Sequence, residues 1–259
     1  NDIQSSSAIQ QLLDGQKHTP TVLLSEKKDK NHLIQLFSHD RLRNLIARND
    51  QILEEEMIIT VEKILRQNIF GMEKYLTWGV EFVKEPIVDS TSKNQQVQKV
   101  GEFVRTLQCD ERFVRLAEVV ADEMIMNALY DAPVDKTGKP MYAHLPRTQP
   151  VKLDKGKAFL EYGSDGRYFG IVCTDYFGAL KAQTVVSYLR KCFLQDDYQV
   201  DSKQGGAGVG FYMIFQSISQ LVINIEEGKQ TETIGLIDIR PLYKDSKKKT
   251  KSFNIFVRS

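Results

Sequence analysis

EVVADEMIMNALYDA, residues 118–132, reads as a strongly apolar helix carrying one polar stripe. Ala117, Val120, Ala121, Met124 and Ala128 recur at three- and four-residue spacing and form a core face. Glu123, Asn127 and Asp131 stand at i, i+4 and i+8, so their side chains share a face beside that core. Polar groups there lose about 1–3 kcal/mol if nothing pairs with them. The stripe is therefore either the solvated side of an amphipathic helix or a place where a ligand, water or metal completes the hydrogen bonding.

On both sides of this helix the pattern is that of a mixed fold. Upstream lie a short strand at about residues 80–82 and a helix at about 95–107. Downstream come the strands KAFLEY (157–162), YFGIVCTD (168–175), QLVINIEE (220–227), TETIGLIDI (231–239) and FNIFVRS (253–259). The Gly-Ser-Asp-Gly run at 163–166 supplies a tight hairpin turn between the first two. Helices gathered before and between mostly antiparallel strands predict an α/β sandwich of two layers, in the α+β class.

Two further segments could carry chemistry. Asp175 ends an apolar strand and is followed by Tyr176, Phe177, Gly178 and Ala179; a carboxylate leaving a sheet edge can accept a hydrogen bond from an exocyclic amine, or simply close a turn. Glycines 205, 206, 208 and 210, with Ala207 and Val209 between them, lead straight into FYMIFQSISQL, which has the length and apolar content of a helix. Glycines at a helix N-terminus let backbone N–H groups approach a phosphate, although glycines also punctuate hinges.

The order and spacing of these three pieces resembles the GHKL (Bergerat-fold) superfamily of gyrase-type ATPases, heat-shock chaperones, histidine kinases and mismatch-repair ATPases, over about residues 78–259. The resemblance implies an ATP-binding fold with ATP and Mg2+ as cofactors. Asn127 is then the magnesium-binding residue of an E-x-x-x-N helix and Glu123 the group that orients a nucleophile. Tyr130 and Asp131 extend that helix into the site. Asp175 matches the aspartate that reads the adenine amino group, with Phe177 and Ala179 standing where the family's D-x-G-x-G box has glycines and Gly178 offering the turn. Gly206, Gly208 and Gly210 match the G-x-G-x-G box, with Ala207 and Val209 between them. Thr231 corresponds to the threonine supporting the adenine-side aspartate, with Thr233 as competitor. Residues 180–204 correspond to a phosphate lid in which Lys203 is a candidate contact.

Within the superfamily the chain looks most like bacterial anti-sigma-factor serine kinases and histidine-kinase catalytic domains. This implies a regulatory protein kinase, or a slow ATPase, in bacterial signal transduction, acting on a response regulator, sigma factor or anti-anti-sigma type of partner. The alternative is a non-catalytic module whose protein contacts are gated by ATP or ADP. SHDRLR (38–43) faintly resembles a phosphoacceptor box around His39.

Residues 1–76 read as a helical N-terminal signalling region and 77–259 as the nucleotide domain. TPTVLLS (19–25) and LIQLF (33–37) read as a strand and then a helix, similar to the end of a response-regulator receiver domain. A long helix is expected over 40–69, and its apolar positions allow either a homodimer through N-terminal helices or packing on the nucleotide domain. The 35 basic and 34 acidic residues give no global footprint for nucleic acid or an anionic membrane. Three dispersed cysteines and the lack of a long apolar stretch lead to the expectation of a cytoplasmic protein without a disulfide framework.

Overall fold

The computed structural model describes residues 11, 15, 19–26, 30–39, 41–47, 53–194, 207–240 and 251–258. In chain order its elements are β1 (Val22–Ser25), α1 (Lys30–Phe37), β2 (Asn44–Ala47), α2 (Leu53–Arg66), a 3-10 turn (Met72–Lys74), β3 (Val83–Pro86), α3 (Lys93–Thr106), α4 (Glu111–Met126) and a π-helical turn (Asn127–Asp131). These are followed by β4 (Ala158–Ser164), β5 (Tyr168–Asp175), α5 (Ala182–Leu194), α6 (Ala207–Ser217), β6 (Gln220–Glu226), β7 (Gln230–Asp238) and β8 (Ser252–Arg258). The strands make one mixed sheet in the order β1-β2-β8-β6-β7-β5-β4-β3. Pairing is parallel for β1–β2 and β6–β8 and antiparallel elsewhere.

Strand alternation sorts the core into two layers of contact. Phe169, Ile171 and Cys173 of β5 face a large cluster with α1, α3, α4, α5 and α6, while Tyr168 and Val172 face the opposite side. In α4, Phe113, Val114, Ala117, Val120, Ala121, Met124 and Ile125 are all buried, the helical repeat expected from the sequence. Asp110 starts that helix by accepting a hydrogen bond from the Arg112 N–H at 2.9 Å. Phe37 ties α1 into the same layer, stacked on Phe193 at 5.4 Å and edge-on to Phe253 at 5.2 Å.

The expected two layers gain a third. α2 and the 3-10 turn cover the other face of the sheet, where Ile69, Met72, Tyr75 and Leu76 pack on Val222, Ile234 and Phe256. The helix expected over 40–69 is corrected too: residues 44–47 are β2, pairing with β1 and β8, and Leu53–Arg66 are helical. The strand expected at 80–82 lies at Val83–Pro86. Backbone pairing runs unbroken from β2 to β8, so the sheet itself crosses the expected division at residue 76. Among the described residues, no helix is long and apolar enough to cross a membrane.

α2 docks through polar groups. Glu56 accepts hydrogen bonds from Gln220 Nε2 (3.0 Å), Ser252 Oγ (2.8 Å) and Asn254 Nδ2 (3.1 Å). Lys63 Nζ donates to Tyr75 Oη and Asn224 Oδ1, each at 2.8 Å, and sits 4.2 Å from the Phe256 ring centroid. Glu232 in turn accepts from Asn224 Nδ2 at 2.6 Å and from the Gly71 N–H at 3.0 Å.

Candidate functional site

Asp175 ends β5 directly opposite Thr231 of β7, and Cys173 lies opposite Thr233. All four line one cavity of about 240 Å³ on the helical face of the sheet. The Phe177 and Gly178 N–H groups donate to the same Asp175 oxygen, Oδ1, at 3.0 and 3.2 Å, and the Thr231 hydroxyl lies beside the carboxyl. Burial pushes the Asp175 carboxyl up to about 6 against those two lowering hydrogen bonds. The adjacent Thr231 hydroxyl also pulls downward, yet Thr231 Oγ1 is buried without a partner in hydrogen-bonding geometry. A buried orphan hydroxyl beside a buried carboxylate is an arrangement completed by a ligand or water.

Gly178 fixes the turn after Asp175. Its φ is +60°, and a Cβ there would lie 2.4 Å from Lys229 N and 2.6 Å from Glu226 O, so the loop rests on the β6–β7 turn with room only for glycine. The turn holds although Phe177 and Ala179 occupy the neighbouring positions.

Across the cavity, Asn127 and Asp131 line the wall from the π-helical turn. The Ala132 N–H bonds Asn127 O at 2.9 Å, an i to i+5 contact that widens the helix at the polar stripe. Such widened turns recur at functional sites. Glu123 lies one turn earlier, where burial and then the Asp122 charge push its carboxyl up, opposed by Arg147 and Lys93. Gly210 of α6 packs on both: a Cβ there would stand 2.6 Å from Glu123 Oε2 and 3.3 Å from Asn127 Oδ1. The first residues of α6, Ala207, Gly208 and Val209, thus begin a helix beside the stripe, and their N–H groups are the ones a helix leaves unbonded.

Other expected residues fall elsewhere. Tyr130 is fully buried outside the cavity lining, with its hydroxyl bonded to the backbone carbonyls of Arg147 (3.1 Å) and Gln149 (2.7 Å). Lys203 and Gly206 lie outside the described residues. Residues 182–194, expected as lid, form α5, whose buried Val185, Val186, Leu189 and Phe193 make it part of the core layer. Its Thr184 and Tyr188, one turn apart, line the cavity, and no motif in the sequence marks them. His39 is buried in the turn after α1, 5% exposed.

Arg147 carries no motif in the sequence, yet it holds the cavity wall in place. Its guanidinium bonds Asp131 Oδ2 at 2.6 Å and Met126 O at 3.3 Å and lies 4.8 Å from the Tyr130 ring, anchoring a segment whose Pro140 and Ala143 form a cavity wall. Burial pushes the Asp131 carboxyl up and Arg147 offsets this. Arg147→Ala should therefore lower folding stability by about 1–3 kcal/mol in denaturant unfolding, because a largely buried carboxylate loses a charged hydrogen-bond donor. A change below about 0.5 kcal/mol would show the anchor to be dispensable.

Among the described residues, no group of three or more His, Cys, Asp or Glu is arranged to hold a metal. Asn127 and Asp131 are the oxygen-bearing side chains on the stripe side of the cavity, which suits an ion that takes most of its ligands from phosphate and water. No protein-family model matches the chain, and no curated protein matches it by sequence.

Proposed function

We propose that the cavity between β5, β7 and the π-helical turn binds ATP with a magnesium ion, and that the chain is a regulatory protein kinase of the anti-sigma-factor type. The observation that carries the reading is the pairing of two unlike ends across one cavity. A buried acceptor and an orphan hydroxyl, Asp175 and Thr231, face the Asn127 and Asp131 oxygens, with the N-terminus of α6 alongside. The first end suits an aminopurine; the second suits a hydrated cation and phosphates.

In this reading Asp175 Oδ2 and Thr231 Oγ1 hold the base, while Asn127 and the α6 N–H groups hold the metal and phosphates. Bound ATP would supply a phosphoryl group for transfer. Glu123 orients or deprotonates the acceptor, and burial raises its pKa, which makes the carboxylate a stronger base. The partner is a regulatory protein of the response-regulator, sigma-factor or anti-anti-sigma class. The buried position of His39 favours acceptor groups on that partner over a phosphohistidine in this chain. A non-catalytic, nucleotide-gated module is the second reading, supported by the Phe177 and Ala179 substitutions in the base-side loop.

Titration calorimetry with ATP, with and without magnesium, on the native chain and Glu123→Gln tests both. Magnesium-dependent binding by both proteins is expected, with turnover lost only in the variant. A folded native chain that binds neither ATP nor ADP removes the nucleotide site altogether, and unchanged turnover in Glu123→Gln removes the assigned base.

A further inference from the structure

The polarity of α2 is inverted relative to a helix that covers a sheet. Its sheet side carries Glu56, Thr60 and Lys63, each no more than 6% exposed. Its outer side carries Ile58, Val61 and Leu65, exposed by 66, 41 and 76%. Packing on the sheet uses these polar residues together with the partly buried Ile59 and Ile64, and leaves an apolar stripe uncovered, flanked by the exposed charges Glu54, Glu55, Glu62 and Arg66. Trp78 is 97% exposed, and a short relay of contacts links its neighbour Thr77 to the first turn of the helix. Thr77 next to it bonds Asp165 at 3.1 Å, and Arg167, two residues on, bonds Glu55 at 3.0 Å.

We infer that this face is a self-association surface: α2 pairs antiparallel with α2 of a second copy of the chain, and Trp78 of each copy covers the C-terminal end of the other's helix. The arrangement of charge selects that occupant. Glu54 and Glu55 stand in the first turn and Arg66 in the last of a 14-residue helix about 21 Å long. A two-fold axis level with Val61 sets Val61 against its counterpart, Leu65 level with Met57 and Ile58 of the other copy, and Arg66 within a turn of its Glu54 and Glu55. A parallel pair would instead oppose acid to acid and Arg66 to Arg66. The Glu62–Arg66 ion pair within one chain is solvent-exposed at 3.1 Å and can be exchanged for the contact between copies. One helix face and one indole make less than a tight interface, so dimerisation at roughly micromolar concentration is expected. The inference does not depend on nucleotide binding.

Sedimentation velocity on the full chain from about 1 to 100 μM, read together with the emission of Trp78, the sole tryptophan, tests this. A monomer–dimer transition with a concentration-dependent blue shift is expected. Ile58→Glu with Leu65→Glu should stay monomeric with unchanged thermal unfolding, since both sites are exposed. Glu54→Lys with Glu55→Lys should weaken the dimer about tenfold, and adding Arg66→Glu should restore it. A native chain that is monomeric throughout, a dimer indifferent to the Ile58 and Leu65 substitutions, or reversal without rescue each overturns the proposal, the first leaving the face to a different protein.

Discussion

Asp175→Asn is expected to weaken ATP binding about a hundredfold while leaving the protein folded and, near neutral pH, more stable than the native chain. The affinity loss follows because the amide keeps one oxygen for the Phe177 and Gly178 N–H groups but turns an N–H toward the ligand. A donor then faces the donor of an exocyclic amine in a buried place, and each such mismatch costs about 1–3 kcal/mol. The stability gain follows from linkage. Asp175 titrates at about 6 when folded, above the ordinary carboxylate value. Its contribution is therefore present below about pH 4 and lost as pH rises through about 6, so the ionised group burdens the fold at pH 7.5 by on the order of 2–3 kcal/mol.

The same titration sets the pH dependence of binding. If the ionised carboxylate is the acceptor, native affinity should be flat above about pH 6 and fall roughly tenfold per unit below it, and the asparagine variant should show no such slope. Adenosine serves as ligand here because its ribose and base bring no phosphate titration into the window. Undiminished binding by Asp175→Asn would sink the base-side assignment, whatever happens to stability.

The strands and the α4 stripe were legible because their signals are local. Alternation in residues 168–175 and the three- and four-residue repeat of Val120, Ala121 and Met124 depend only on neighbours along the chain. Asp175 is marked in the sequence by its place at the end of an apolar strand, and the register sets it opposite Thr231, whereas Gly210 packs on Glu123 and Asn127. Arg147 gave no signal, for it comes from an irregular segment with no period, 16 residues beyond the Asp131 it clamps. In α2, spacing and burial part company. Ile58, Val61 and Leu65 have the spacing of a buried face, but burial is decided by what the sheet offers, and β6, β7 and β8 offer Gln220, Asn224, Glu232, Ser252 and Asn254. Those partners lie up to 198 residues away, where no helical pattern reports them.

That polar bed makes Lys63 the second site of large effect. Lys63→Ala should destabilise the fold by about 3–5 kcal/mol, because it removes the buried ammonium near Glu232 and strips Tyr75 Oη and Asn224 Oδ1 of their shared donor. Lys63→Met retains the stem against Phe256, so the difference between the two variants separates packing from charge. Their pH dependence carries the sharper test. Burial lowers Lys63 to about 7 against the opposing charge of Glu232, and burial raises Glu56 to about 7 against hydrogen bonds from Ser252 and Asn254. The raised Glu56 loses its contribution as pH climbs from about 4 to 7; with the depressed Lys63 the unfolded chain holds the extra proton, so stability climbs from about 7 to 10. The two slopes meet in a minimum close to pH 7. In denaturant unfolding, Glu56→Gln should flatten the acidic limb relative to the native chain and Lys63→Met the alkaline limb, each by on the order of 3 kcal/mol. Parallel pH profiles for native and variant proteins would mean that α2 does not rest on these two charges.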